Sequence, residues 1–361
     1  MNVLFVTRKF PPSVGGMERA AWELCRSLEG LATVHRVSYG GPNRFLPLAG
    51  PWLLLRALWK LRTRRVDVVY LQDGLLAPLV PLLKLVSNRP VVVTVHGLEV
   101  TCRNPMVRAL VGWGLPRADR VVVASRRTAR EVEALHPGMP VECIPWGVGP
   151  EFFLDRDRGE LREALAARLG LAPGALADRR LLLTTGRLVR RKGVAWFVRE
   201  VVPRLDEGVL YVVAGEGPER PGVERAVQAR GLQERVLLLG QVPDEVRNLL
   251  YNAADLFVMP NVPVPGDLEG FGLVALEAAS CGTPVCASRL DGLVDAVQEG
   301  RTGRLLPPED AEAWARALSE ELDRPSLDRD LVRARANGNN AWPRVAADHL
   351  GVFERALAGR S

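Results

Sequence analysis

The chain has 361 residues, 47% of them hydrophobic and 25% charged, with a formal net charge of +6. That length favours two domains, each able to bury a core, and the composition excludes a chain dominated by disorder. Only Lys9, Lys60, Lys84 and Lys192 are lysines among 48 Lys plus Arg, so the positive charge reads as an arginine-biased composition, and its dispersal with few aromatics argues against a nucleic-acid partner.

Short apolar, β-branched runs recur along the chain between amphipathic stretches, at residues 3–7, 66–71, 91–95 and 121–124, then 181–185, 210–214, 236–239 and 256–259. Runs of this kind are buried on both faces and predict parallel sheets covered by helices, an α/β architecture formed twice. The N-terminal run lacks the basic start and long apolar core of a signal peptide. The apolar run 74–83 is about half the length of a membrane span. A cytoplasmic protein is expected.

The first run ends at Thr7 and enters a loop of Lys9, two prolines, Ser13, Val14, Gly15 and Gly16, after which 20–28 reads as a helix. A Gly-Gly turn there either bares backbone N–H groups to a diphosphate or is a tight connection only. Glu18 suits the helix start for dipole reasons. The segment 52–65, with Trp52, Trp59, Lys60 and four arginines, reads as an ordinary helix before the next strand or as a basic amphipathic helix on an anionic membrane. Peripheral membrane contact stays open. His96 and Ser125 follow the third and fourth runs at the strand edge where open α/β sheets bind ligands, Ser125 with the alternative of a helix N-cap.

Residues 145–180 carry no sheet strand in this reading, although 158–169 has helical periodicity, so the domains are expected to join there: 1–150 with 341–361, and 151–340. The second half opens on Gly186, Arg187 and Lys192 after a strand, a planar guanidinium and a compact ammonium suited to a diphosphate. Glu269-Gly270-Phe271-Gly272-Leu273 then leads into a helix carrying Glu277; the carboxylates need not share a helical face, but the glycines leave backbone amides free at the helix start near two acceptors for sugar or ribose hydroxyls. The segment 341–357 reads as a final amphipathic helix. Cys25, Cys102, Cys143, Cys281 and Cys286 lack paired metal or redox spacing and read as reduced, mostly buried thiols.

Taken in order, the Gly-Gly loop, His96-Gly97, Ile144 to Val148, Gly186-Arg187 with Lys192, Gly215 to Pro218, the Glu-x7-Glu element and Thr302 to Leu306 resemble glycosyltransferase family 4 over nearly the whole chain. The resemblance implies the GT-B fold: two Rossmann-like domains facing across a cleft, the last helix crossing back to the first. It implies a retaining, metal-independent hexosyltransferase that uses a UDP- or GDP-sugar and a hydroxyl acceptor, which is a lipid-linked or cell-surface glycan precursor or a small molecule. No cofactor is expected. By the same resemblance the donor diphosphate meets Gly15 and Gly16, with Arg187 and Lys192 neutralising it. The transferred sugar meets Glu269 and the amides of Gly270, Phe271, Gly272 and Leu273, and Glu277 holds the ribose. His96 lies near the reacting centre, and Lys9 and Ser125 are acceptor candidates.

The sequence departs from the family at Trp146, Gly149 and Asp291 to Asp295, where Asn, Asp and Gly-Gly-x-Pro-Glu are usual. Asp155-Arg156-Asp157 matches the short acidic pattern of metal-dependent transferases but follows no strand, and it recurs at Asp328 to Asp330, so both read as solvated. A nonhydrolysing epimerase would share the architecture but need its own acid and base. A silent nucleotide-sugar-binding scaffold would not need Arg187, Lys192, Glu269 and Glu277 together.

Overall fold

The computed structural model describes residues 1–13, 15–41, 45–101 and 104–359, with the side chains of 46 and 47 set aside. Val14 of the Gly-Gly loop, Cys102 and the last two residues of the expected 341–361 return therefore lie outside the described residues. The chain divides into one unit of Met1–Gly147, Gly266–Phe271 and Asn340–Ser361, and a second of Val148–Pro265 and Gly272–Asn339.

The first unit is built on six parallel strands, β1 (Asn2–Thr7), β2 (Thr33–Ser38), β3 (Val68–Leu71), β4 (Val91–Val95), β5 (Arg120–Val123) and β6 (Val141–Cys143), in the order β2-β1-β3-β4-β5-β6. β3 and β4 are buried along their whole length, as their Val-rich, near-continuous apolar runs predict for strands covered on both faces. Leu4, Val69, Val93 and Val121 join Leu53, Ala57, Leu83 and Val132 from the covering helices in one core.

The final helix, Trp342–Ala358, packs on the helix Gly16–Glu29 and on β3 and β4, so it returns to the first unit as expected. It seats His349, Val352 and Phe353 in the core, with the Phe353 ring 5.1 Å from that of Tyr70. Gly147 makes this docking feasible, because a Cβ there would lie 2.4 Å from the Trp342 ring.

The second unit carries β7 (Arg180–Thr185), β8 (Val209–Ala214), β9 (Val236–Gly240), β10 (Leu256–Met259), β11 (Val285–Ser288) and β12 (Gly303–Leu306), all parallel, in the order β12-β11-β10-β7-β8-β9. Phe197, Tyr211, Val258 and the fully buried Trp314 centre its core. Both sheets are doubly wound. Strand order reverses between β1 and β3 in the first and between β7 and β10 in the second, and a crevice at the carboxyl ends of the strands opens at such a switch point.

Four strands escape the sequence reading, and three of them, β2, β6 and β12, lie at sheet edges. An edge strand pairs on one side only and can keep polar residues, as in Thr33-Val-His-Arg-Val-Ser38, so no apolar run announces β2, whereas the edge strand β9 stays apolar and is read from the sequence. The fourth, β11, is buried but short, and its Val285-Cys-Ala-Ser288 lacks bulky β-branched residues after the first.

Candidate active site

In the second unit the switch-point loop after β7 runs through Gly186, Arg187 and a 3-10 turn at Arg190–Lys192. Gly186 takes φ +120°, and a Cβ on Gly215 would lie 1.8 Å from the Gly186 carbonyl oxygen. The turns after β7 and β8 thus pass backbone against backbone, which only residues without side chains permit. The turn is tied to the loop after β10: Val262 N donates to Arg191 O at 2.9 Å, and a Cβ on Gly193 would meet Pro260 O at 1.8 Å. Arg187 is exposed. Lys192 is 9% exposed, so it is not a solvated surface charge.

Glu269 precedes the helix Leu273–Ser280 and Glu277 rides on it, as expected. Gly272 begins the helix in the left-handed region, at φ 98°, without a side-chain cap, so the first amides are left to a ligand or solvent. Tyr251, on the helix Asp244–Ala253, donates its hydroxyl to Glu277 Oε2 at 2.6 Å and lies 2.8 Å from Thr185 Oγ1. Burial, with the Glu277 charge beside it, pushes the Tyr251 hydroxyl well above its usual range, so it stays a donor and fixes the carboxylate. Tyr251 was not a sequence candidate; no spacing links it to Glu277.

In the first unit, side chains from successive strand ends converge. Arg8 follows β1, Asp73 follows β3, and His96 and Glu99 follow β4. Arg8 Nε lies 2.7 Å from Asp73 Oδ2 as an ion pair whose angles fall short of a hydrogen bond. Leu75 N donates to Asp73 Oδ1 at 2.8 Å, and His96 N donates to Glu99 Oε2 at 3.2 Å. Ligand atoms of Asp73, His96 and Glu99 come within 4.8 Å of one another. The guanidinium of Arg8 already supplies a cation to this group. Burial, with Asp73 adding to it and His96 opposing, raises the Glu99 carboxyl above its ordinary range.

The His96 ring lies 5.5 Å from that of Trp146 and is nearly parallel to it, while the Trp342 ring lies tilted 6.2 Å from that of Trp146. His96 Nε2 is 3.0 Å from Gln72 O. A carbonyl only accepts, so Nε2 carries a proton and donates to it. Trp146, which stands where the family usually has Asn, therefore orients this imidazole by stacking.

Glu269 belongs to the same unit and is 8% exposed. Gly270 presses on the His96 loop so closely that a Cβ would lie 2.2 Å from His96 O, and a Cβ on Gly97, which holds φ +117°, would lie 3.8 Å from Gly270 Cα. The close approach of Gly270 brings the chain that carries Glu269 to the carboxyl edge of β4.

Gly15 precedes the helix Gly16–Glu29 with no side-chain cap. Glu18 turns back to it and pairs with Lys9 at 3.0 Å, so both residues have an electrostatic role in the loop beyond the helix dipole. Ser125 is fully buried and caps the helix Arg126–Leu135, accepting from Thr128 N at 3.2 Å. Asp155 to Asp157 are exposed, with Asp157 accepting from Gly159 N at 2.7 Å as an N-cap. Asp291 holds φ 48°, a left-handed conformation that glycine, usual in the family there, adopts more easily. Cys25, Cys281 and Cys286 are buried, each thiol pushed up to about 12 chiefly by burial, whereas Cys143 is exposed. Among the described residues no helix is long and apolar enough to cross a membrane.

The profile described as Glycosyltransferase Family 4 matches residues 14–152, and that described as Glycosyl transferases group 1 matches 179–324. A GDP-mannose-dependent alpha-(1-6)-phosphatidylinositol monomannoside mannosyltransferase of Mycolicibacterium smegmatis is 31% identical over 356 residues, covering 90% of each chain. An alpha-D-kanosaminyltransferase of Streptomyces kanamyceticus is 26% identical, covering 87% of this chain and 83% of its own. Among solved structures, sucrose-phosphate synthase from Thermosynechococcus elongatus superposes with a TM-score of 0.80 at 23% identity over the whole of both chains. HepE of Anabaena, in complex with UDP and glucose, gives 0.78 at 17% identity over 98% of this chain and all of its own. With two doubly wound parallel sheets of GT-B type and a full-length relative at this identity, the chain belongs to glycosyltransferase family 4 and is a glycosyltransferase.

Proposed function

We propose that the protein transfers a hexose from a UDP- or GDP-sugar to a hydroxyl acceptor with retention of anomeric configuration and without a metal. The observation that supports this reading is the seat of Gly270 on the His96 carbonyl, which brings the segment that carries the buried Glu269 against the loop that carries His96. Glu269 accepts from a hydroxyl of the transferred sugar, and the Gly270 to Leu273 amides lie along the same segment. His96 Nδ1 accepts from a further hydroxyl near the reacting carbon. Gly15 and Gly16 approach the diphosphate through backbone amides.

Arg187 and Lys192 neutralise the diphosphate as negative charge gathers on it, which is where catalysis by positioned charge has its largest effect. Glu277, held by Tyr251, accepts from the ribose. The acceptor hydroxyl attacks from the face that the diphosphate leaves, and its proton passes to a phosphate oxygen. The sugar–phosphate bond breaks as the new glycosidic bond forms, so no protein nucleophile is used. Two cations and a helix start take the part that a metal plays in other transferases, and the acidic group beside His96 is matched by Arg8.

The GDP-mannose dependence and phosphatidylinositol acceptor in the name of the Mycolicibacterium relative, and the UDP in the HepE complex, support this donor class and favour a lipid-linked or glycan acceptor. Thermal shift with GDP, UDP, ADP and their sugar conjugates in EDTA identifies the base, because a ligand that binds only the folded state raises its melting point. Glu269→Ala and Lys192→Ala are expected to remain folded and lose transfer by at least about a hundredfold. Wild-type transfer by either variant overturns the assignment, and transfer abolished by EDTA overturns metal independence.

A further inference from the structure

Ten of the sixteen large apolar side chains that stand exposed among the described residues fall on three helices of the first unit, Leu46–Thr63, Leu79–Val86 and Pro105–Gly114. The first packs on the second and the second on the third, so the three helices lie side by side. In Leu46–Thr63 core packing uses Ala49, Leu53 and Ala57. A second apolar stripe, Leu48, Trp52, Leu55 and Trp59, recurs at the same helical spacing and points outward, with Leu48 72% and Leu55 67% exposed. The other two helices continue it: Leu85 is 81% and Met106 66% exposed, with Leu110 and Trp113 one and two turns beyond Met106. Packing before a strand therefore accounts for one side of the 52–65 segment and leaves the other unexplained.

None of the three helices carries an aspartate or glutamate, whereas Arg56, Lys60, Arg62, Lys84 and Arg108 lie on them, Lys84 paired with Asp119 at 3.0 Å. The Arg56 guanidinium sits 5.7 Å from the Trp52 and Trp59 ring centres, and the ammonium of Lys60 5.9 Å from Trp59. Aromatic rings with cations on their faces, beside exposed leucines, suit a boundary where headgroups carry negative charge and acyl chains begin. Two copies of so basic a face repel one another, so charge complementarity favours an anionic lipid surface over a second copy of the chain.

We infer that this three-helix face docks the protein on an anionic bilayer, with Leu48, Trp52, Leu55, Trp59, Leu85 and Met106 entering the headgroup–acyl boundary. The docking goes beyond the transfer reaction and is independent of it. The test is co-sedimentation of the full chain with phosphatidylcholine vesicles, with and without about a third of phosphatidylglycerol, at low salt of roughly 50 mM and at about 0.5 M. Binding is expected only to the anionic vesicles, falling at least about tenfold at high salt and at least about tenfold in a Leu48→Ser/Leu55→Ser/Leu85→Ser variant. These positions are exposed, so the variant should keep its nucleotide-dependent thermal shift, which separates loss of docking from loss of fold. Failure of the wild type to sediment with anionic vesicles at low salt overturns the inference. So does equal binding by the variant, or a dimer in light scattering that the triple substitution converts to monomer.

Discussion

Replacing Gly270 by alanine tests the contact on which the sugar-binding reading rests. The added Cβ would lie 2.2 Å from the His96 carbonyl oxygen, against 3.4 Å or more for an ordinary contact, and the obstacle is backbone rather than a side chain that could swing away. Gly270 is not at positive φ, so the substitution acts through space alone. The loop must retreat by about 1 Å, carrying Glu269 with it, and a displacement of that size at a reacting centre costs on the order of a hundredfold in rate. We expect kcat/KM for transfer to fall by about that factor, equivalent to roughly 3 kcal/mol of transition-state stabilisation. Gly338→Ala is the control, because a Cβ there meets nothing within 4 Å. The assay pairs steady-state transfer with thermal unfolding of both variants. Transfer by Gly270→Ala at the wild-type rate, with an unchanged melting point, would refute the coupling between this contact and the position of Glu269.

Tyr251→Phe removes the hydroxyl that holds Glu277 at 2.6 Å; a charge-assisted bond of this kind contributes about 1.5–3 kcal/mol, so KM for the donor should rise about tenfold with little change in kcat, and an unchanged KM would dissociate Glu277 from donor binding. His349 is fully buried, and burial lowers its pKa from 6.5 to about 4. The unfolded chain takes up this proton first as pH falls below 6.5, so the stability the neutral ring contributes is present above that pH and lost progressively toward 4. Between neutral pH and about pH 5 the loss is about 2 kcal/mol, and urea unfolding of His349→Leu should lack this share; an identical pH slope in both proteins would contradict it.

Much of the fold is legible in the sequence because central parallel strands must be apolar on both faces, as in Val91-Val-Val-Thr-Val95, and because Gly-Arg and Glu-Gly-Phe-Gly mark turns at strand ends. The edge strand Thr33–Ser38 has one pairing partner and keeps polar residues, so its residues carry no such signal. The sequence also names His96 at a strand end, Arg187 and Lys192 in the loop after a strand, and Glu269 and Glu277 before and on a helix, since their place follows from the alternation of strand and helix. Which of these touch is a matter of tertiary structure alone. Residues 266–271 join the first unit although they follow the fourth strand of the second sheet. Trp146 stacks on His96, Tyr251 holds Glu277, and Arg8 pairs with Asp73 through separations of 50, 26 and 65 residues. Local propensity depends on neighbours a few positions away, whereas these contacts are set by where two doubly wound sheets bring their strand ends, and by glycines small enough to let the backbones meet.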